Sequence, residues 1–110
     1  RLGRFHAHSF ADRPAMYALV ILRYTAPLEE IIASTDDHRS YLRSLRERGW
    51  LLASGPFEPR TGGALLFRLP DDGPSLESIR DADPFHQRGL AEYDLRHWKP
   101  VIGTEGLDQL

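Results

Sequence analysis

Short apolar runs and two stretches of helical period alternate along the chain. "MYALVILRYT", Met16 to Thr25, is β-branched and aromatic on successive positions and reads as a strand apolar on both faces, central in its sheet. The period then changes. Ile31, Ile32, Thr35, His38, Tyr41, Leu42 and Leu45 recur at helical spacing, with Arg39, Arg43, Arg46 and Glu47 on the other side. Ser34 or Thr35 is placed to cap this helix, Asp36 and Asp37 suit the positive end of its dipole, and Gly49 closes it. Pro27 to Ala33 then reads as a separate turn or short helix. "WLLASGPF", stopped by Gly55-Pro56, is a second strand, "EPRTGG" a connection and "ALLFRL" a third strand. Ser75 caps a helix through about Ala82. "AEYDLRHWKPVI" sets Tyr93, Leu95 and His97 against Asp94, Arg96 and Trp98 as a fourth strand.

The order βαββαβ predicts an α+β, ferredoxin-like domain: a four-stranded antiparallel sheet with both helices on one face. That leaves the other sheet face open. A first strand apolar on both sides predicts that a second copy of the chain covers it, giving a homodimer. Residues 16–110 form this single domain. Residues 1–15, basic and polar with no apolar h-region, read as a loose arm, an alternative start or a cloning remnant rather than a signal peptide.

Length and composition narrow the function classes. A chain of 110 residues supports one hydrophobic core. Its net charge of −2 gives no basic surface for nucleic acid or an anionic membrane. No run approaches the ~20 apolar residues of a transmembrane helix. The absence of cysteine removes disulfides, thiol catalysis and thiolate metal sites together, and fits a cytoplasmic location.

Two residues stand out chemically. His38 shares its helix stripe with Tyr41, Leu42 and Leu45, so it is either a core histidine satisfied by one hydrogen bond or a proton-transfer group. Placed in the first turn, it would feel a dipole that favours the neutral imidazole, which accepts protons. Asp83 precedes Pro84 as a helix N-cap precedes N1, and it is either a cap or the partner that fixes a histidine tautomer. "SGPF" adds Ser54, Gly55 and Pro56 as substrate-binding candidates at a strand end, where a plain turn is the simpler reading. His6 and His8 lie in the arm, His86 on an exposed turn, and His97 on a strand. No histidine pair has metal-ligand spacing, and no Walker, dinucleotide or G-x-S-x-G pattern occurs, so neither metal nor cofactor is expected. Trp50, Phe67 and Trp98 read as core.

"DHRSYL", "GWLLASGPF", "DADPFHQRGL" and the closing "HWKP" occur in this order over Met16 to about Val101. Together they resemble the YciI-like (YCII-related) family. The resemblance implies a dimeric α+β barrel and a pocket in which a histidine of the first helix meets the aspartate of a D-P-F/Y motif. Those positions are His38 and Asp83 here. It also implies kinship with enzymes that remove chloride from a chlorinated hydroxyhydroquinone, and a shared fold with muconolactone isomerases. The short, proline-bearing "EPRTGG" connection departs from the family pattern at the rim of that pocket.

Two functions compete. One is a small cofactor-independent enzyme in which His38 and Asp83 perform acid/base chemistry, an elimination or isomerisation, on a small cyclic or aromatic compound. Ser54 or the Gly55 backbone would steady a developing oxyanion. The other is a non-catalytic module that binds a small molecule in the same pocket.

Overall fold

The computed structural model describes residues 15–110. The expected N-terminal arm, with His6 and His8, lies outside the described residues except for Ala15, which begins the first strand. Four strands, β1 (Ala15–Tyr24), β2 (Leu51–Pro56), β3 (Gly62–Pro70) and β4 (Ala91–Trp98), form one antiparallel sheet in the order β2-β3-β1-β4. Helix α1 (Leu28–Glu47) joins β1 to β2. The one-turn-and-a-half α2 (Leu76–Asp81) and the single-turn α3 (Pro84–Gln87) join β3 to β4. This is the ferredoxin-like arrangement that the order of periods predicts.

Strand alternation decides which side chains meet the helices. Ala18, Val20 and Leu22 of β1 and Leu65, Phe67 and Leu69 of β3 point one way and are buried with Ile31, Leu42 and Leu45 of α1. Leu76, Ile79 and Phe85 from the second crossover complete this core. The opposite face carries Tyr17, Leu19 and Ile21 beside Arg68, Leu66 and Ala64 in register. Leu19, Ile21, Ala64 and Leu66 keep partial exposure, so the central strand is apolar on both faces as its sequence implies.

Three local expectations need correction. Helix α1 does not begin at Ser34 or Thr35. It is continuous from Leu28, with Pro27 at the N-cap and Glu29 and Glu30 in the first turn. Proline at that position withholds no needed N–H, and the two glutamates meet the dipole's positive end. Ser34 and Thr35 are interior residues: Thr35 donates its hydroxyl to the Ile31 carbonyl at 2.7 Å, an i−4 bond that satisfies it inside a helix. Ile32 is 54% exposed, because the buried stripe runs through Ile31, Ser34, Thr35, His38, Leu42 and Leu45 instead. Trp98 is 41% exposed, because strand alternation turns it to the open face opposite Tyr17.

A short helix α4 (Thr104–Asp108) follows β4, beyond what the periodicity indicates. Arg68 on the open face donates to the carbonyls of Leu107 at 2.9 Å and Leu110 at 3.0 Å, and Tyr17 bonds to Asp108. The tail therefore lies over one end of the open face.

Candidate functional site

The site is built around α3, four residues fixed at both ends. Asp83 takes the extended N-cap conformation, and its Oδ1 accepts from the Phe85 backbone N–H at 3.0 Å. Pro84 at N1 has its φ already set for the helix. At the other end Gly89 adopts φ +68°, donating to the His86 carbonyl at 3.0 Å, while the Leu90 N–H reaches the Phe85 carbonyl at 2.9 Å. That 5→2 and 6→1 pair is a Schellman motif, which needs the left-handed conformation glycine adopts without a Cβ penalty. The "DPFHQRG" stretch thus holds Asp83 rigidly, with 1% of its surface exposed.

The same Oδ1 also meets His38. The imidazole Nδ1 lies 2.8 Å from it, with both side chains buried. Phe85 stacks flat on the imidazole, centroids 3.9 Å apart and planes 5° from parallel, so the ring is fixed in position and in plane. A carboxylate oxygen at this distance accepts from an Nδ1–H, an arrangement open to the imidazole tautomer protonated at Nδ1. His38 stands in the middle of α1 rather than its first turn. The helix dipole acts over the terminal turns, so it supplies no argument for the neutral imidazole here. Asp83 and Phe85 define its setting instead.

Two tyrosines complete the polar surroundings of Asp83. Tyr41 donates to the Ile79 carbonyl at 2.7 Å, and burial followed by the Asp83 charge pushes its pKa up to about 12. Burial, the Asp83 charge and a hydrogen bond toward the Asp83 side chain also raise the Tyr93 pKa, although the hydroxyl falls outside strict hydrogen-bond geometry. Both phenols stay neutral in the physiological range.

His38 and Phe85 open onto a cavity of about 510 Å³ between α1 and β2. Ser54, Gly55 and Pro56 line it too, so the structure brings His38 and the three strand-end candidates together. Gly55 stands opposite Ala64 in the β2–β3 ladder, two residues from Phe57, whose N–H donates to the Gly62 carbonyl at 2.9 Å. In that phase of an antiparallel ladder the Gly55 N–H belongs to the sheet and the Ser54 N–H points off its edge. Pro56 has no N–H to offer.

Four arginines, absent from the candidates read in the sequence, also line the cavity: Arg39, Arg43, Arg46 and Arg60. The first three looked like an exposed helix face; they flank the His38 stripe on the side that β2 leaves open. Arg60 sits in the β2–β3 connection and reaches the Tyr24 hydroxyl at 3.3 Å and Thr35 Oγ1 at 3.0 Å. Nothing in its local pattern marks it, since the contact spans two other elements. Of the remaining histidines, His86 is half-buried rather than exposed, edge-on to Tyr93 and 3.8 Å from Asp81, and His97 is exposed. Among the described residues no three His, Asp or Glu side chains gather in metal-binding geometry.

The fold and the site define a class: a ferredoxin-like α+β domain with a buried His-carboxylate contact opening on a cavity between its first helix and an edge strand. Residues 16–99 match the model of the YCII-related domain, and the chain belongs to that family. Among solved structures it is similar to 5-chloro-2-hydroxyhydroquinone dehydrochlorinase (TftG) from Burkholderia phenoliruptrix AC1100, in complex with 2,5-dihydroxybenzoquinone. The two share 22% identity and a TM-score of 0.63 over 78% of this chain and 96% of the other. No curated protein matches the sequence.

Proposed function

We propose that this protein is a small cofactor-independent enzyme that moves a proton on a small cyclic or aromatic compound, with elimination or isomerisation as the outcome. The observation that carries the reading is the 2.8 Å contact from His38 Nδ1 to Asp83 Oδ1 on a ring that lines the cavity. Nε2 takes a proton from a carbon beside a carbonyl or phenolic oxygen, and Asp83 stabilises the imidazolium through Nδ1–H. The released electron pair then expels a leaving group such as chloride, or the imidazolium returns the proton at another carbon. Ser54 N–H, directed off the edge of β2, is the donor suited to a developing oxyanion. The dehydrochlorinase, solved with a quinone, is a relative whose chemistry suits this arrangement.

The protein acts as a homodimer in this proposal, joined through the open sheet face. The test is turnover of a panel of chlorinated hydroquinones and lactones, read as chloride release or ultraviolet change. 2,5-Dihydroxybenzoquinone serves as a product-like binding probe. His38-dependent turnover supports the enzyme. Binding of every panel member without turnover would assign the pocket to the non-catalytic module instead.

A further inference from the structure

We infer that the cavity takes an anionic substrate, a flat ring bearing an ionised oxygen, and that Arg60 is the residue that grips that oxygen. This rests on the acid/base reading above and narrows it to substrate charge. Arg60 is half-buried, and its guanidinium is held by two neutral oxygens: Nε donates to Tyr24 and Nη2 to Thr35 Oγ1, itself tied to the Ile31 carbonyl. Among the described residues Nη1 has no protein partner, and Arg60 meets no carboxylate. A fixed, partly desolvated cation with its charge uncompensated is costly unless an anion joins it.

Its neighbours sharpen the argument. Among the described residues Arg39, Arg43 and Arg46 also lack ion pairs, and no Asp or Glu lines the cavity. Elsewhere Arg23 pairs with Glu92, Arg80 with Asp81, Arg88 with Asp37 and Arg96 with Asp94, while Arg68 is satisfied by two carbonyls and Arg48 lies over the Trp50 ring. Four unpaired positive charges around one cavity, on a chain of net charge −2, form a local field that an anion neutralises. His38 and Phe85 add aromatic edges to the cavity lining, beside which a ring-bearing ligand would sit. A guanidinium on a phenolate or enolate oxygen would also hold the negative charge that grows when His38 removes a neighbouring proton.

The full chain should be titrated with 2,5-dihydroxybenzoquinone, whose hydroxyls are ionised at neutral pH, and with 2,5-dimethoxybenzoquinone, the same ring without the charge. The ionised ring should bind at least about ten-fold tighter, an advantage that shrinks as salt rises. Arg60→Gln should weaken the ionised ring by about ten- to a hundred-fold and leave the dimethoxy ring unchanged, as expected for losing charge-assisted hydrogen bonds. Arg60→Lys should recover only part, keeping the charge but not the planar fork. Sulfate against chloride at equal ionic strength is a second probe, which should raise the melting temperature of the wild type and not of Arg60→Gln. Equal affinity for the two rings, or indifference of the ionised ring to Arg60→Gln, overturns the inference. So does a failure of both rings to bind together with no Arg60-dependent sulfate effect. The parent reading fails separately. Arg60-dependent binding without turnover keeps the charge assignment, whereas His38-dependent turnover equally fast on uncharged rings removes it and leaves the acid/base chemistry standing.

Discussion

One carboxylate oxygen serves two neighbours here. Asp83 Oδ1 accepts from the Phe85 N–H, which starts α3, and contacts His38 Nδ1, so the helix cap and the histidine's neighbour are the same atom. On the proposed acid/base function, His38→Ala and Asp83→Asn should each lower turnover by about 10²- to 10⁴-fold, with the double variant losing little more, as losses from groups that act together are not additive. Steady-state kinetics on the three variants checks this; additive losses would separate the residues. The tyrosines also set an alkaline limit. Tyr41's folded pKa of about 12 lies above the ordinary 10.0, so folding favours the neutral phenol. Its contribution is fully present below pH 10 and disappears as pH rises from 10 through 12, the sign linkage requires. Urea midpoints should hold steady from pH 7 to 9 and fall across that window, less steeply in Tyr41→Phe. His38 and Asp83 were legible as residues because an Asp-Pro step and a histidine on an apolar stripe are local patterns. No spacing shows their contact, 45 positions apart in the chain; only the family resemblance implies it.

At the scale of elements, the strands and the crossover helices follow from period alone, and the errors fall where a polar side chain had two uses. Ser34 and Thr35 resemble caps in sequence, yet one accepts from Arg88 at 2.9 Å and the other bonds back to Ile31 and on to Arg60. Only tertiary packing supplies those partners, so the local pattern starts the helix at Ser34 or Thr35 and sets His38 in its first turn, whereas the helix begins at Leu28. The cavity arginines were hidden for the same reason: a face that is solvated on an isolated helix becomes a pocket wall once β2 and the Arg60 connection pack beside it. Strand contact also makes a prediction at Gly62, which faces Arg23 across the β1–β3 ladder. A Cβ there would stand 1.9 Å from the Leu22 carbonyl oxygen, and that backbone cannot yield without breaking the pairing. Gly62→Ala should destabilise by more than about 2 kcal/mol, comparable to overpacking a core. It should also loosen the pocket, because the next connection inward carries Arg60. A urea midpoint equal to the wild type would show that β3 shifts freely.

At the scale of the molecule, one sheet face carries the helices and the other carries an apolar stripe with charged edges. Leu19 and Ile21 of β1 lie beside Leu66 and Ala64 of β3, while β4 contributes Glu92, Asp94 and Arg96 along one margin. The tail covers only the end of this face, tied there by Arg68 and Tyr17. A contiguous half-exposed apolar stripe on a central strand is costly in water, and a second copy meeting it about a two-fold axis would bury the same residues on both sides. The expected particle is therefore a homodimer with a total interface above ~1,200 Å². Light scattering should give twice the 12.5 kDa chain mass at micromolar concentration. Leu66→Glu, with Leu19→Glu as a second variant, should yield monomers that keep their circular dichroism, since these side chains face away from the helix-side core and a buried pair of carboxylates would repel across the interface. A wild-type monomer at that concentration, or dimers that survive both substitutions, would mean that the stripe is covered in some other way.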